Sequence, residues 1–164
     1  MKTFTNWLET VEYPMDKFIV HVIAPYKDQP TLKIDNWGSI RLFYSGEPPH
    51  WVVHMIRGEQ RGAGTLLYFA ALLWAIDKGE KILGTEPKTL GRVASDSTLS
   101  PDAVRARQTM QTKYGDYLYI LPHPNADGVK IHRNDGSDWR RKATDQEATM
   151  WRLKKMPPFE FEFV

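Results

Sequence analysis

Apolar and polar positions change rhythm along this chain, and the changes divide it into elements. Lys17–Ala24 (KFIVHVIA) and Gly38–Tyr44 (GSIRLFY) are rich in β-branched and aromatic residues. Pro25 stops the first and the SGEPP turn ends the second, so both read as strands. Thr31–Asp35 is a weaker strand between them. Trp51–Arg57 (WVVHMIR) is apolar without strict alternation, the pattern of a strand covered on both faces. From Gly64 to Lys78 the chain is apolar nearly all round, which predicts a buried helix with Gly79 as its C′ residue.

Beyond that helix the signals shorten. Glu80–Gly84 reads as a strand and TEPKTLGRVASDSTL as a loop. Ser100–Tyr114 predicts a second helix: Ser100 suits the N-cap, Pro101 the N1 position, and Asp102 the positive end of the dipole. Tyr117–Leu121 and Val129–His132 read as strands, and Phe159–Val164 (FEFEFV) alternates strictly, as a half-exposed edge strand does. Thr5–Thr10 reads as a short first helical turn, and residues 133–158, largely polar, as an irregular or peripheral segment. The order is β–β–β–loop–α–β–α–β, an α/β (α+β) arrangement in one domain over residues 1–164, with a mostly antiparallel sheet flanked by helices.

Composition narrows the picture. Aromatics make up 12 %, including six Trp, a load that points to a packed core. With no Cys, disulfides, Cys-ligated metal and Cys nucleophiles are excluded. No apolar run reaches the roughly 18 residues of a membrane span, and the N-terminus lacks the apolar stretch of a signal peptide. A cytoplasmic protein is expected. A net charge of +2 is too small to argue nucleic-acid binding from bulk charge.

The most informative stretch is the junction between the third strand and the first helix, Arg57-Gly58-Glu59-Gln60-Arg61-Gly62-Ala63-Gly64-Thr65. A loop that opens a helix presents unpaired N–H groups at the positive end of the dipole, which suits a phosphate. Gly62 and Gly64 permit close backbone approach, and Arg57 and Arg61 supply charge. A plain strand-to-helix turn accounts for the same residues. The Lys of a P-loop is missing, and Leu67 stands where a Rossmann fingerprint needs its third Gly.

Strand–(x-x-x-Gly-x-Gly)–helix–strand–helix–strand after meandering strands resembles the GCN5-related N-acetyltransferase superfamily over roughly Lys17–Leu121. The resemblance implies acetyl-CoA as cofactor and an amine of a protein or small molecule as acceptor. It places the pyrophosphate on Gln60, Arg61, Gly62, Ala63, Gly64 and Thr65, with Arg57 as a further charged contact to phosphate, and the pantetheine arm along His54, Met55 and Ile56. His54, on the strand before the loop, becomes the candidate base; a hydrogen-bonded structural histidine is the other reading. The family's second site helix carries a Tyr acid where this chain has Arg107, and its loop carries Gln or Arg where this chain has Glu59. Tyr117, Tyr114 or Tyr119 could serve as the acid or simply pack. The segment Ser95-Asp96-Ser97-Thr98-Leu99-Ser100 resembles one found in acetyltransferase-like proteins of bacteriophages; in it Asp96 either meets an amine or forms an Asx turn. Glu59 and Arg107 also raise an alternative, a non-catalytic acetyltransferase-like fold that binds protein or nucleic acid.

Two features stand apart. Trp139-Arg140-Arg141-Lys142 and Trp151-Arg152-Leu153-Lys154-Lys155 alternate rings and cations, as a nucleic-acid surface does and as an amphipathic element with packed Trp and solvated cations does. His123 and His132, with Asp127 and Asp135, are too irregularly spaced to argue a metal site.

Overall fold

The β-rich runs pair in the order in which they leave the chain. The structure, a computed structural model, describes residues 4–6, 11–79, 89–132 and 140–164, with side chains from Tyr13 onward. Strands β1 (Phe4–Asn6) and β2 (Val11–Tyr13) form a small antiparallel pair. Strands β3 (Lys17–Ile23), β4 (Thr31–Ile34), β5 (Gly38–Gly46) and β6 (Pro49–Gly58) then meander antiparallel. Helix α1 (Ala63–Trp74) follows, ending in a π-helical turn, Ala75–Gly79. Next come β7 (Val93–Ser95), β8 (Thr98–Leu99), α2 (Pro101–Lys113), β9 (Leu118–Pro122), β10 (Lys130–His132), β11 (Arg140–Lys142), β12 (Thr149–Leu153) and β13 (Glu160–Phe163).

The main sheet runs β13-β3-β4-β5-β6-β7-β12-β9. Only its β13–β3 and β6–β7 pairings are parallel. The fold is thus mixed α/β, with a large, mostly antiparallel sheet and two helices among the described residues. A second sheet, β11-β10-β8, sits over a smaller core of Leu99, Val104, Val129, Ile131, Ala143 and Ala148. Helix α1 is buried nearly all round, as its apolar sequence requires, and packs between the sheet and Ala106 of α2. No described helix is long and apolar enough to cross a membrane.

Several expectations are corrected. Residues 5 and 6 are strand rather than helical turn, and residues 7–10 and the expected strand at 80–84 lie outside the described residues. The loop before α2 holds β7, and residues 133–158 hold β12, an interior strand whose Trp151 is fully buried. Both strands are too short and too polar at their flanks to show a period. Gly79 is not a left-handed cap, being absent from the positive-φ residues. It is glycine because a Cβ there would lie 2.7 Å from Nε1 of Trp51. The second helix begins as its capping residues demand: Ser100 Oγ accepts from the Ala103 N–H at 3.1 Å. The C-terminal strand is the edge of the main sheet, with the expected alternation.

Candidate functional site

The sheet opens where β7 ends. β6 and β7 pair over three registers, Trp51↔Val93, Val52↔Ala94 and Val53↔Ser95. The chain then turns at Asp96 and Ser97 into β8, which joins the other sheet, while β6 continues to Gly58. From His54 onward, β6 has no strand on that side among the described residues.

A β-bulge re-aims this open edge. Leu42 pairs with Val53 and Arg41 with Met55, which leaves His54 as the extra residue. Beyond it, the Glu59 N–H donates to the Trp37 carbonyl at 2.8 Å. Alternation down the antiparallel ladder then turns the backbone groups of Arg57 and Met55 toward β5, and those of Ile56 and Gly58 toward the open edge.

A cleft of about 460 Å³ occupies the fork, lined by Val53–Ile56 of β6, Ser95 and Asp96 at the end of β7, Tyr68 of α1, and Ser100, Ala103 and Arg107 of α2. His54 and Asp96 meet across it, with Nδ1 3.4 Å from Oδ2. The other oxygen of Asp96 accepts the N–H of the next residue, Ser97, at 2.7 Å, while Oδ2 faces the imidazole. Phe43 lies edge-on to the His54 ring, centroids 5.7 Å apart.

Behind the fork, His123 donates Nε2–H to the Ser95 carbonyl at 2.7 Å, and its Nδ1 accepts the Asn125 N–H at 2.9 Å. The two bonds fix the neutral tautomer. Burial lowers the pKa of His123, with the Ser95 carbonyl acting in the opposite sense.

The loop ahead of α1 is anchored by its own contacts. Gln60 Nε2 donates to the Asn36 carbonyl at 2.7 Å, and the Tyr13 hydroxyl to the Gly62 carbonyl at 2.9 Å. Gly62 takes φ +86°, a left-handed conformation that favours glycine. The first turn of α1 carries neither a side-chain cap nor an acid, so the positive end of the helix is unneutralised. Ala63 and Thr65 are buried, Gly64 faces Ala106 of α2, and Arg61 is exposed. Tyr68 stands one turn beyond Gly64 and lines the cleft, so helix end and cleft adjoin.

Of the residues singled out in the sequence, the fold gathers His54, Asp96, Met55 and Ile56 in the cleft, with Gly62 and Gly64 at the adjoining helix end. Arg57 lines a shallower pocket with Thr31, Ser39, Arg41 and Met55. Tyr117 packs edge-on against Phe69 and Tyr114 outside the cleft. Residues not expected there are Tyr68 and Ser95 as a lining group; Arg107, noted in the sequence only for the Tyr it replaces, also lines the cleft, and no sequence pattern signals its burial.

The basic–aromatic segment is spent on internal contacts where it is described. Trp151 is core, Arg152 and Lys154 lie over the Tyr119 ring, and Lys155 over the Tyr117 ring. Arg141 pairs with Glu147 and Lys142 with Asp127; Trp139 lies outside the described residues.

Compared with known proteins, the chain matches no family profile, no curated protein and no solved structure.

Proposed function

We propose that this protein is an acetyl-CoA-dependent N-acetyltransferase of the GCN5-related type, acting on an amine. One observation carries the reading: the open edge of β6 runs beside the His54–Asp96 pair and on toward the unneutralised N-terminus of α1. An edge strand offers backbone hydrogen bonds to an extended amide-bearing chain such as pantetheine, and a bare helix N-terminus offers them to a pyrophosphate. The residues present fit that cofactor: Ile56 and Gly58 supply edge groups, and Gly62, Gly64 and Thr65 supply N–H donors, the Ala63 N–H being spent on the Gln60 carbonyl, without a competing acid in the helix. Acetyl-CoA, when bound, supplies an acyl carbon open to attack by an amine.

The chain's own part is positioning and proton transfer. His54 takes the amine proton on its ring, and Asp96 orients the imidazole and steadies the charge it acquires. Among the described residues Nε2 of His54 makes no bond, which leaves it available to the acceptor or to a bridging water.

Calorimetry with acetyl-CoA and with CoA tests the reading. Micromolar binding is expected, and replacing Gly62 with a β-branched residue should abolish it. No binding to folded protein would leave the non-catalytic alternative, which Glu59 in the loop and Arg107 in place of the family's Tyr both favour.

A further inference from the structure

Two polar groups on the cleft walls are buried without hydrogen-bond partners: Oγ of Ser95, and Nε and Nη1 of Arg107. Arg107 is 2 % exposed. Nη2 donates to the carbonyl of Thr149 at 2.8 Å and to its hydroxyl at 3.0 Å, and the Tyr68 hydroxyl also bonds the guanidinium. The guanidinium lies over the Trp151 ring, 3.9 Å from its centroid, and flanks Tyr68 at 5.8 Å. No ion pair joins it to a described carboxylate.

That is a costly arrangement. A buried cation without a counter-charge is strongly unfavourable, and ring stacking returns only part of the cost while Nε and Nη1 stay unbonded. Arginine does not escape by losing its proton. An anion in the cleft would answer both the guanidinium's charge and its unbonded N–H groups. Asp96, which lines the same cleft, restricts what the anion can be. A second negative group discourages a dianion, whereas one guanidinium and one hydroxyl match a single carboxylate. The cleft is thus polarised, cationic at Arg107 and anionic at Asp96.

We propose that the acceptor is a free amino acid, held with its carboxylate on Arg107 and Ser95 and its amine at the His54–Asp96 pair. The inference rests on the acyltransferase reading for the fate of the amine, and it adds the acceptor's chemical class. A cleft of about 460 Å³ suits a molecule of that size.

The experiment is calorimetric titration of the folded protein, without CoA, by the standard L-amino acids and by ω-amino acids of increasing length. The expected result is millimolar or tighter binding of at least one. The corresponding amino-acid amide, which lacks the carboxylate, should bind at least about tenfold more weakly. Ser95→Ala and Arg107→Lys should each weaken the acid about tenfold and leave the amide unchanged. Ser95→Ala keeps the test decisive if Arg107 variants do not fold. The proposal is overturned if no amino acid binds, if amide and acid bind equally, or if Ser95→Ala leaves the affinity for the acid unchanged. It is also overturned if succinate, with no amine, binds more tightly than any amino acid; the carboxylate would then belong to the acyl group. Binding of an amino acid without binding of acetyl-CoA would sink the acyltransferase reading alone, and the reverse would sink this inference alone.

Discussion

Nδ1 of His54 lies 3.4 Å from Oδ2 of Asp96, although β6 and β7 pair only upstream of both residues. The β6 bulge and the early end of β7 create the meeting. If the pair transfers the acceptor's proton, His54→Gln lowers the rate of acetyl transfer by about a hundredfold or more. Asp96→Asn does nearly as much while keeping an oxygen for the Ser97 N–H. Thiol release from acetyl-CoA, measured over a panel of amines, reads the loss, and calorimetry checks that acetyl-CoA affinity is unchanged. Variants as fast as the parent would remove His54 from the chemistry.

Gly79 and Trp51 give a stability prediction. Alanine normally favours a helix over glycine, by about 1 kcal/mol. Here the added Cβ would meet Trp51 Nε1 at 2.7 Å, and Trp51 is itself locked edge-on against Trp74, centroids 4.9 Å apart. The clash outweighs the propensity gain, and Gly79→Ala should destabilise by about 1–3 kcal/mol. A urea midpoint that rises in this variant would contradict the packing account.

How much of this was legible in the sequence depends on how far each feature reaches beyond its own neighbourhood. Lys17–Ile23, β5, β6 and α2 announce themselves because their periods and caps are local, as Ser100 and Pro101 show. β7 and β12 do not. Val93–Ser95 is three residues long, and Thr149–Leu153 is buried through its neighbours β7 and β9 while flanked by Glu147 and by Lys154 and Lys155. His54 and Asp96 are each visible as titratable residues, but their meeting depends on the parallel β6–β7 register. Arg107 is the plainest failure. The resemblance marks it only by the Tyr it replaces, and because arginine is almost never fully buried unless paired, nothing local signals that the fold buries it against Trp151.

One buried and one half-buried histidine predict an acid-sensitive fold. Burial lowers the pKa of His50 and of His123, the first opposed by its bond to the Pro48 carbonyl at 2.6 Å, the second by its bond to Ser95. In the unfolded chain both titrate near their ordinary value, about 6.5. As pH falls through that value the unfolded chain takes up protons that the folded chain refuses, and stability falls until the lowered folded-state values are passed. Protonating His123 would also set an Nδ1 donor against the Asn125 N–H. Thermal melts from about pH 7.5 downward should show a falling midpoint. His50→Gln and His123→Gln should flatten that slope, and an unchanged slope in both variants would assign it elsewhere.

Glu147 links the small sheet to the cleft. Its two oxygens accept from Nη1 and Nη2 of Arg141, each at 2.7 Å, and Oε1 also accepts the Thr144 N–H at 2.9 Å. Its own N–H donates to the Thr144 carbonyl at 3.0 Å and its hydroxyl at 3.3 Å, so the turn is closed from both sides. The Arg141 guanidinium holds the Glu147 carboxyl well below the usual carboxylate range, at about 2. A depressed carboxylate stabilises the fold above its unfolded value, 4.5 here, and that contribution drains away as pH falls toward about 2. Glu147→Gln should therefore cost stability near neutral pH, by about 1 kcal/mol rather than the several expected of a buried pair, because Arg141 is partly solvated. The gap between variant and parent should close as pH approaches 2. The consequence extends past stability, since Glu147 fixes the entry to β12, where Thr149 holds Nη2 of Arg107. If that chain of contacts positions the guanidinium, Glu147→Gln weakens amino-acid binding in the cleft without touching the ligand. Calorimetry on the folded variant near neutral pH decides it: an affinity equal to the parent's would confine Glu147 to stability.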